Sequence, residues 1–376
     1  MRKIFTLFAL FSAFVFTAKA ETVGGDCTET LQWSYNTDTK TLTFTGTGAM
    51  PDYLIDETPW AKYKNKVEKV ELSSQMTVIG TYAFHWFEKL TSIVIPQSVK
   101  EINQYSFQYC IRLNSVQMGN EVFWIGSHAF ADCYSLTTLS LPASLTATID
   151  PSHGPGYRAF AYVCNVAYAD DHKKNYDARC VNGIVEEPMV YQDADKTILA
   201  ACSAVAKGYV RVPNGVKTIN PEAFYNCFDV ITVELPNSVE TVEKYAFDEC
   251  TSIKTLIIGS GLQSTSMYSF SMASLKTVVC FALTPPDLGM NSFYDTKEKE
   301  AVLYVPDESV NAYKEADQWK DFGTIKPISE MPAGIVIGEG IDNISTATPA
   351  NKIIRDGVIL IERNGRTYTT SGQEIK

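Results

Sequence analysis

Phe84, Phe107 and Phe130 stand 23 residues apart, and so do Phe224, Phe247 and Phe270. A fixed period of this size means stacked supersecondary units, none of which can bury its apolar edge alone. The text around the Phe recurs as well. "AFADCYSLTTLSLP" at 129–142 and "AFYNCFDVITVELP" at 223–236 share Ala, Phe, Cys, three apolar residues at matched offsets, and Pro. Each unit carries an L-x-x-L-x-L triplet: Val67-Val70-Leu72, Leu90-Ile93-Ile95, Leu113-Val116-Met118 and Leu136-Leu139-Leu141. After a gap come Val230-Val233-Leu235, Ile253-Leu256-Ile258 and Leu275-Val278-Cys280. The last two members alternate with other residues, as in a strand with one buried face. A further apolar residue lies five places before each Phe (Ile79, Ile102, Ile125, Ile219, Val242), with Thr265 the departure before Phe270.

This pattern resembles the leucine-rich repeat, and more closely its BspA-type form in bacterial surface proteins. "VIGTYAFHWFEKLTSIVIPQSVKEI" and "TINPEAFYNCFDVITVELPNSVETV" resemble that form, whose core is I-x-x-x-A-F-x-x-C with a Pro after the strand; the second carries it in full, and the first has Phe87 at the Cys place. Pro96, Pro142, Pro213, Pro236 and Pro306 hold that Pro place, and Asn120 and Gly259 belong to variants in which Gly replaces Pro. "LQWSYNTDTKTLTFTGTGAMPDY" and "TPWAKYKNKVEKVEL" resemble the family's N-terminal cap; "ALTPPDL" and "LYVPDESVNAYKEADQWKDFGTIKPI" resemble its closing cap. The resemblance implies an α+β solenoid, mostly β, of about 23-residue units with β-rich caps at both ends. Parallel strands would add about every 4.8 Å along one curved sheet. The Phe would fill the layer behind it from a short helical or turn segment. Cys110, Cys133, Cys227 and Cys250, three places after their Phe, should form a buried column, either as free apolar fillers or as disulfides between neighbours.

The remaining segments follow from composition. Arg2 and Lys3, the apolar run Ile4–Phe16 and Ala18-Lys19-Ala20 read as a signal peptide over residues 1–20. The solenoid is expected at 67–280, between an N-terminal β cap at 21–66 and a C-terminal cap at 281–328. Phe130 and Phe224 are 94 residues apart, where four units need 92, so the interval reads as degenerate units rather than a foreign domain. Its irregular part is 146–208, where Cys164, Cys180 and Cys202 leave a local disulfide open. A Gly-, Ser-, Thr- and Pro-rich stretch at 329–350 reads as a linker. Asp356-Gly357 and Asn364-Gly365 favour type I′ turns, so 351–376 reads as a small β hairpin tail. That tail is similar to C-terminal segments of Bacteroidetes-type exported proteins, some of which direct sorting; a plain cap or stalk is the other reading.

Removing the leader takes away Arg2, Lys3 and Lys19 and no acid, leaving 29 basic against 43 acidic residues, a formal charge of −14. Such a surface repels phosphate backbones, so nucleic acid is not expected as a partner. No later stretch is apolar for long enough to span a membrane. There is no G-x-S-x-G, H-E-x-x-H or phosphate loop, and the four His residues (85, 128, 153, 172) show no metal spacing. No catalytic residue, metal or cofactor is therefore assigned. The outward positions of the strands form a hydroxyl-rich ladder. Its candidate ligand-binding residues are Ser92, Ser115, Gln117, Thr138, Ser140, Thr232, Glu234 and Thr255. Ser and Thr neighbours also simply suit strand pairing. The functional reading is a polar concave surface for a protein or glycoprotein, as solenoids offer. Together with the resemblance, this implies an exported or cell-surface adhesion protein binding host matrix or other cells. The alternative is a glycan-binding accessory protein, which an aromatic platform on the strands would favour.

Overall fold

The computed structural model describes residues 21–146, 154–155, 158–167, 178–180 and 183–337, and the backbone of 351–355, 358–363, 366–369 and 374–375. The signal-peptide reading, the later part of the linker and the two tail dipeptides fall outside these residues.

The chain starts antiparallel. Thr22–Asp26, Leu31–Asn36 and Thr41–Ala49 form a meander. The period-two pattern of LQWSYN buries Leu31, Trp33 and Tyr35 and turns Gln32 out. Thr41–Ala49 then opens two parallel ladders. Its first half pairs with Lys69–Glu71, and its end pairs with Gln75–Ile79. Gly46, at φ 99°, sits near the point where the strand changes partner, and a Cβ there would lie 2.0 Å from the Thr30 carbonyl oxygen.

From here each unit gives one strand to each ladder. The triplet strands form the first. Ser92–Val94 pairs with Ser115–Gln117, and Leu139–Ser140 with Val166–Ala167. Lys207–Arg211 begins a six-stranded parallel run through Asp229–Leu235, Thr255–Ile258, Thr277–Cys280 and Val302–Val305 to Thr324–Pro327. The expected single sheet is thus divided, because the strands of the first half are only two or three residues long. The second ladder is made of two-residue strands that bury Ile102, Ile125, Ile219 and Val242. At the departure, the buried Thr265 hydroxyl meets that of Ser292 at 2.8 Å and accepts the Gly289 N–H. A hydroxyl is tolerated in the core because it is paired.

The A-F-x-x-C segment is a turn rather than a helix, and it builds a third hydrogen-bonded column. Tyr82, Phe84 and Trp86 donate their backbone N–H to Gln104, Ser106 and Gln108 of the next unit at 3.1, 2.8 and 2.9 Å. The residues two before and two after the Phe take left-handed backbone: Tyr82 (φ 56°) and Trp86 (59°), Tyr105 (58°) and Tyr109 (59°), Tyr245 (56°) and Glu249 (58°). Each costs on the order of 1 kcal/mol for a non-glycine residue, offset by the bonds between units. The Phe rings stack behind them, Phe84 on Phe107 at 5.2 Å, Phe107 on Phe130 at 5.1 Å and Phe224 on Phe247 at 4.6 Å.

All nine cysteines are free thiols. The column explains the motif's Cys. Cys110, Cys133 and Cys250 donate to the Phe84, Phe107 and Phe224 carbonyls of the preceding unit at 3.2, 3.3 and 2.9 Å. Burial pushes the Cys110 thiol up to about 12, so it remains a protonated donor. The disulfide left open among Cys164, Cys180 and Cys202 does not form: Cys164 instead accepts a bond from Arg179 Nη2 at 3.0 Å.

Between Phe130 and Phe224, two described positions take the Phe's place. Phe160 is buried, and its neighbour Ala159 accepts the Phe130 N–H. Cys202 donates its N–H to Ala223, in the same register as a Phe. Among the described residues, the rest of the interval holds the strands Ile184–Glu186, Met189–Tyr191 and Ile198–Cys202, paired antiparallel, and residues 178–180 before them. Arg179 Nη1 reaches the carbonyls of Glu222 and Ala223 at 3.1 and 3.3 Å, tying this stretch to the second half.

The closing cap buries Tyr313 and Trp319, whose Nε1 donates to the Pro286 carbonyl at 2.9 Å. Beyond it the composition suggests a linker from 329. Residues 328–337 do not behave as one: Ile328, Met331, Ile335 and Ile337 pack against Ile257, Val279, Phe281 and Tyr304. In the tail, Asn351–Arg355, Val358–Arg363, Arg366–Thr369 and Glu374–Ile375 pair antiparallel in sequence, a four-stranded meander where a hairpin was expected.

Candidate binding face

The outward rows of the strand ladder divide into an open part and a covered part. Ser92 lies in register with Ser115, and the exposed Val94 with Gln117. Ser92, Ser115, Gln117 and Ser140 are exposed, and Thr138 is half-buried with the Asn165 amide 3.5 Å from its hydroxyl. In the second half Thr232, Thr255 and Thr277 are in register and half-buried. The structure therefore brings the eight candidates together as two groups, separated by the unit around Phe160 and the strand Lys207–Arg211.

Glu234 does not belong to the open surface. It was expected to point to solvent, yet its side chain is 1% exposed. Its row reads Arg211, Glu234, Ile257 and then Val279 across register-paired strands, and Tyr304 follows. The apolar members of that row lie under residues 328–337, so the outward face is itself a small core here. A carboxylate is held there because it is paired. Arg211 Nε lies 3.0 Å from one oxygen, and the Tyr209 hydroxyl donates to the other. Burial and the bond to Glu234 raise the Tyr209 hydroxyl above its usual range, which keeps it a donor.

Tyr209 and Arg211 were missed as site residues because outward positions were taken only from the L-x-x-L-x-L triplets, and the strand carrying them borders the irregular part at 146–208. The signal was available in Gly208-Tyr209-Val210-Arg211-Val212-Pro213, which ends in the motif's Pro. Both side chains are partly open, Tyr209 at 41%. They help line a cavity of about 440 Å³, with Glu187, Pro188, Met189, residues 205–207 and Val210. On the other side of 204–207, a second cavity of about 260 Å³ joins the two halves through Arg112, Asn114, Ser135 and Phe228.

Among the described residues, two pairs of tyrosines outside the core stack on one another. Tyr82 and Tyr105 stack at 4.8 Å with 5° between planes, and Tyr245 and Tyr268 at 5.3 Å with 2°. Each ring gives one face to its neighbour. Among the described residues no cluster of three His, Cys, Asp or Glu could hold a metal, and no helix is long and apolar enough to cross a membrane.

The model of the BspA type leucine rich repeat region matches this chain in 6 copies over residues 60–166 and 200–310. The chain belongs to that family. The turn, the Cys-to-carbonyl bond and the two ladders are thus the family's repeat as this sequence builds it. Three crystal structures are similar. A leucine-rich repeat protein from Eubacterium ventriosum is 18% identical, with 85% of this chain and 99% of that chain covered and a TM-score of 0.39. The pneumococcal vaccine antigen PcpA is 15% identical, covering 83% and 99%, with a TM-score of 0.32. A leucine rich cell surface protein from Faecalibacterium prausnitzii is 15% identical, covering 81% and 95%, with a TM-score of 0.29. No curated protein matches the sequence.

Proposed function

We propose that this chain is a non-catalytic, exported or cell-surface binding protein that engages another protein through the open rows of its strand ladder, in adhesion to host matrix or to other cells. The observation that carries the reading is the change along the outward face. Serines and Gln117 stand open in the first half, the apolar row is covered in the second, and the boundary presents Tyr209 and Arg211 beside a cavity. Tyr and Arg at the rim of a cavity are the residue types that dominate protein-binding energetics. The rigid ladder lowers the entropy cost of presenting them. The signal-peptide reading of residues 1–20 and the family's place among surface proteins support export.

The test is an array of matrix proteins and glycans probed with the chain from Glu21 onward. Any partner found is then measured against Tyr209→Ala and against Ser115→Lys with Ser140→Lys. A loss of at least about tenfold in affinity from each is expected. A partner bound equally well by both variants would remove this face from consideration. A glycan bound in place of any protein would favour the accessory-protein reading.

A further inference from the structure

We propose a second recognition site, in the N-terminal cap: a cationic pocket that takes carboxylates from an acidic segment of a partner protein. Its cavity measures about 240 Å³ and is lined by Tyr35, Thr37, Lys40, Tyr63, Lys66 and Lys89. The chain is acidic overall, yet "KYKNKVEK" at 62–69 places four lysines in eight residues; Lys64 pairs with Asp56 and Lys69 with Glu71, which leaves Lys66 facing the cavity. Lys40 is tied to Glu68 at 2.6 Å. Lys66 and Lys89 make no ion pair among the described residues, so the cavity carries an excess of positive charge. The hydrogen bond from Lys40, with the nearby charge of Lys89, holds the Glu68 carboxyl below the usual range. One carboxylate already profits from the site.

The floor is rigid. Tyr35 lies on a core strand and is 2% exposed, and its ring stacks on Tyr63 at 4.4 Å with 23° between planes. Lys62 Nζ sits 5.0 Å from the Tyr63 ring centre. The rings are engaged through their faces, so edges, hydroxyls and ammonium groups are left for a ligand. That set suits an oxyanion, and it lacks the open ring face that stacking on a sugar requires. A cavity of this size holds a side chain or two rather than a large cofactor. An acidic partner would be repelled at long range by the chain as a whole, so this local field would fix where such a segment docks. The site is distinct from the strand rows and does not rest on their role.

The experiment is fluorescence anisotropy of a dye-labelled oligoglutamate peptide with the chain from Glu21 onward, at low and at physiological ionic strength. Saturable binding that weakens with salt is expected. Lys66→Gln with Lys89→Gln should weaken it by at least about tenfold, and Glu68→Gln should tighten it. All three residues are exposed, so the variants should keep the wild-type circular dichroism spectrum. Ser115→Lys with Ser140→Lys should leave this binding no weaker, which separates the pocket from the strand face. The proposal is overturned by an absence of saturable binding, by an unchanged affinity in the double variant, or by oligogalacturonate binding more tightly than the peptide.

Discussion

Removing Arg211 should unfasten the carboxylate of Glu234, buried in the outward face. Breaking a buried ion pair from one side costs about 3–5 kcal/mol when both charges are sealed from water. Here Glu234 is sealed, at 1% exposure, but Arg211 is 38% exposed, so solvent already screens part of the attraction. With the Tyr209 hydroxyl still donating to the carboxylate, Arg211→Ala should cost about 2 kcal/mol. Glu234→Leu should cost less than about 1 kcal/mol, because it extends the apolar row of Ile257 and Val279 while Arg211 turns to water. The double variant should then lie within about 1 kcal/mol of wild type, giving a coupling of about 1.5–2 kcal/mol. Thermal unfolding reads this directly. The single Arg211→Ala shift should be about 3 °C for a chain of this size, mostly recovered by adding Glu234→Leu. The reasoning fails if Arg211→Ala is silent, or if the double variant is as unstable as that single.

Phe247→Ala should lower stability by about 3–5 kcal/mol, since the ring is fully buried between Phe224 and Phe270; a loss below about 1 kcal/mol by thermal unfolding would contradict the column. A chain ended at residue 337 should melt as the full chain does, whereas one ended at 327 should lose about 2–4 kcal/mol and bind more of an apolar dye, because Ile257, Val279 and Tyr304 are uncovered; equal melting of the two would show that 328–337 contributes nothing. Glu249→Gly, at an exposed position with φ 58°, should be neutral or stabilising by up to about 1 kcal/mol, while a clear loss in chemical denaturation would mean that the left-handed turn carries no strain. His85 is buried with Nδ1 unpartnered, and desolvation lowers its pKa below the ordinary value. The unfolded chain therefore binds the proton first, and stability falls as pH drops through about 6.5 toward the folded value, by at most about 1.4 kcal/mol per pH unit. His85→Phe should show a smaller loss than wild type between neutral and mildly acidic pH; identical curves would exclude His85 from the effect.

The Phe period, the triplets and the Pro place made the solenoid legible, since each is a burial pattern repeated at one spacing; one curved sheet was expected, and the second ladder, built on the apolar place five before the Phe, was not read. The conformation of the turn was not legible. Tyr82, Trp86, Tyr105 and Tyr109 are residue types that avoid left-handed backbone, and no local preference announces it. Bonds between units impose it, and the partner of each N–H lies about one period away in sequence. The irregular interval was half legible. Ala159-Phe160 repeats the motif's Ala-Phe although Cys164 comes one place late, but Cys202 stands where a Phe would, and only its N–H bond to Ala223 reveals the place.

The candidate site was legible as a face but not in its extent, and the reason lies in the fifth position of the triplet strands. That position reads Glu71, Val94, Gln117 and Ser140 in the first half, then Glu234, Ile257 and Val279 in the second. One apolar residue pointing outward, such as Val94 at 60% exposure, is ordinary on a protein surface. Two in adjacent register, followed by Tyr304, make a continuous patch, and a patch of that kind must be covered or used. Met331, Ile335 and Ile337 are the cover, drawn from a segment whose Gly and Pro content reads as a linker. A ligand that approaches the ladder therefore meets an open polar surface from Ser92 to Ser140, a Tyr–Arg boundary at 209–211, and then the chain's own strap. Binding at the far end would require displacing that strap, with a penalty set by its burial, whereas the first half and the boundary are available at no such cost.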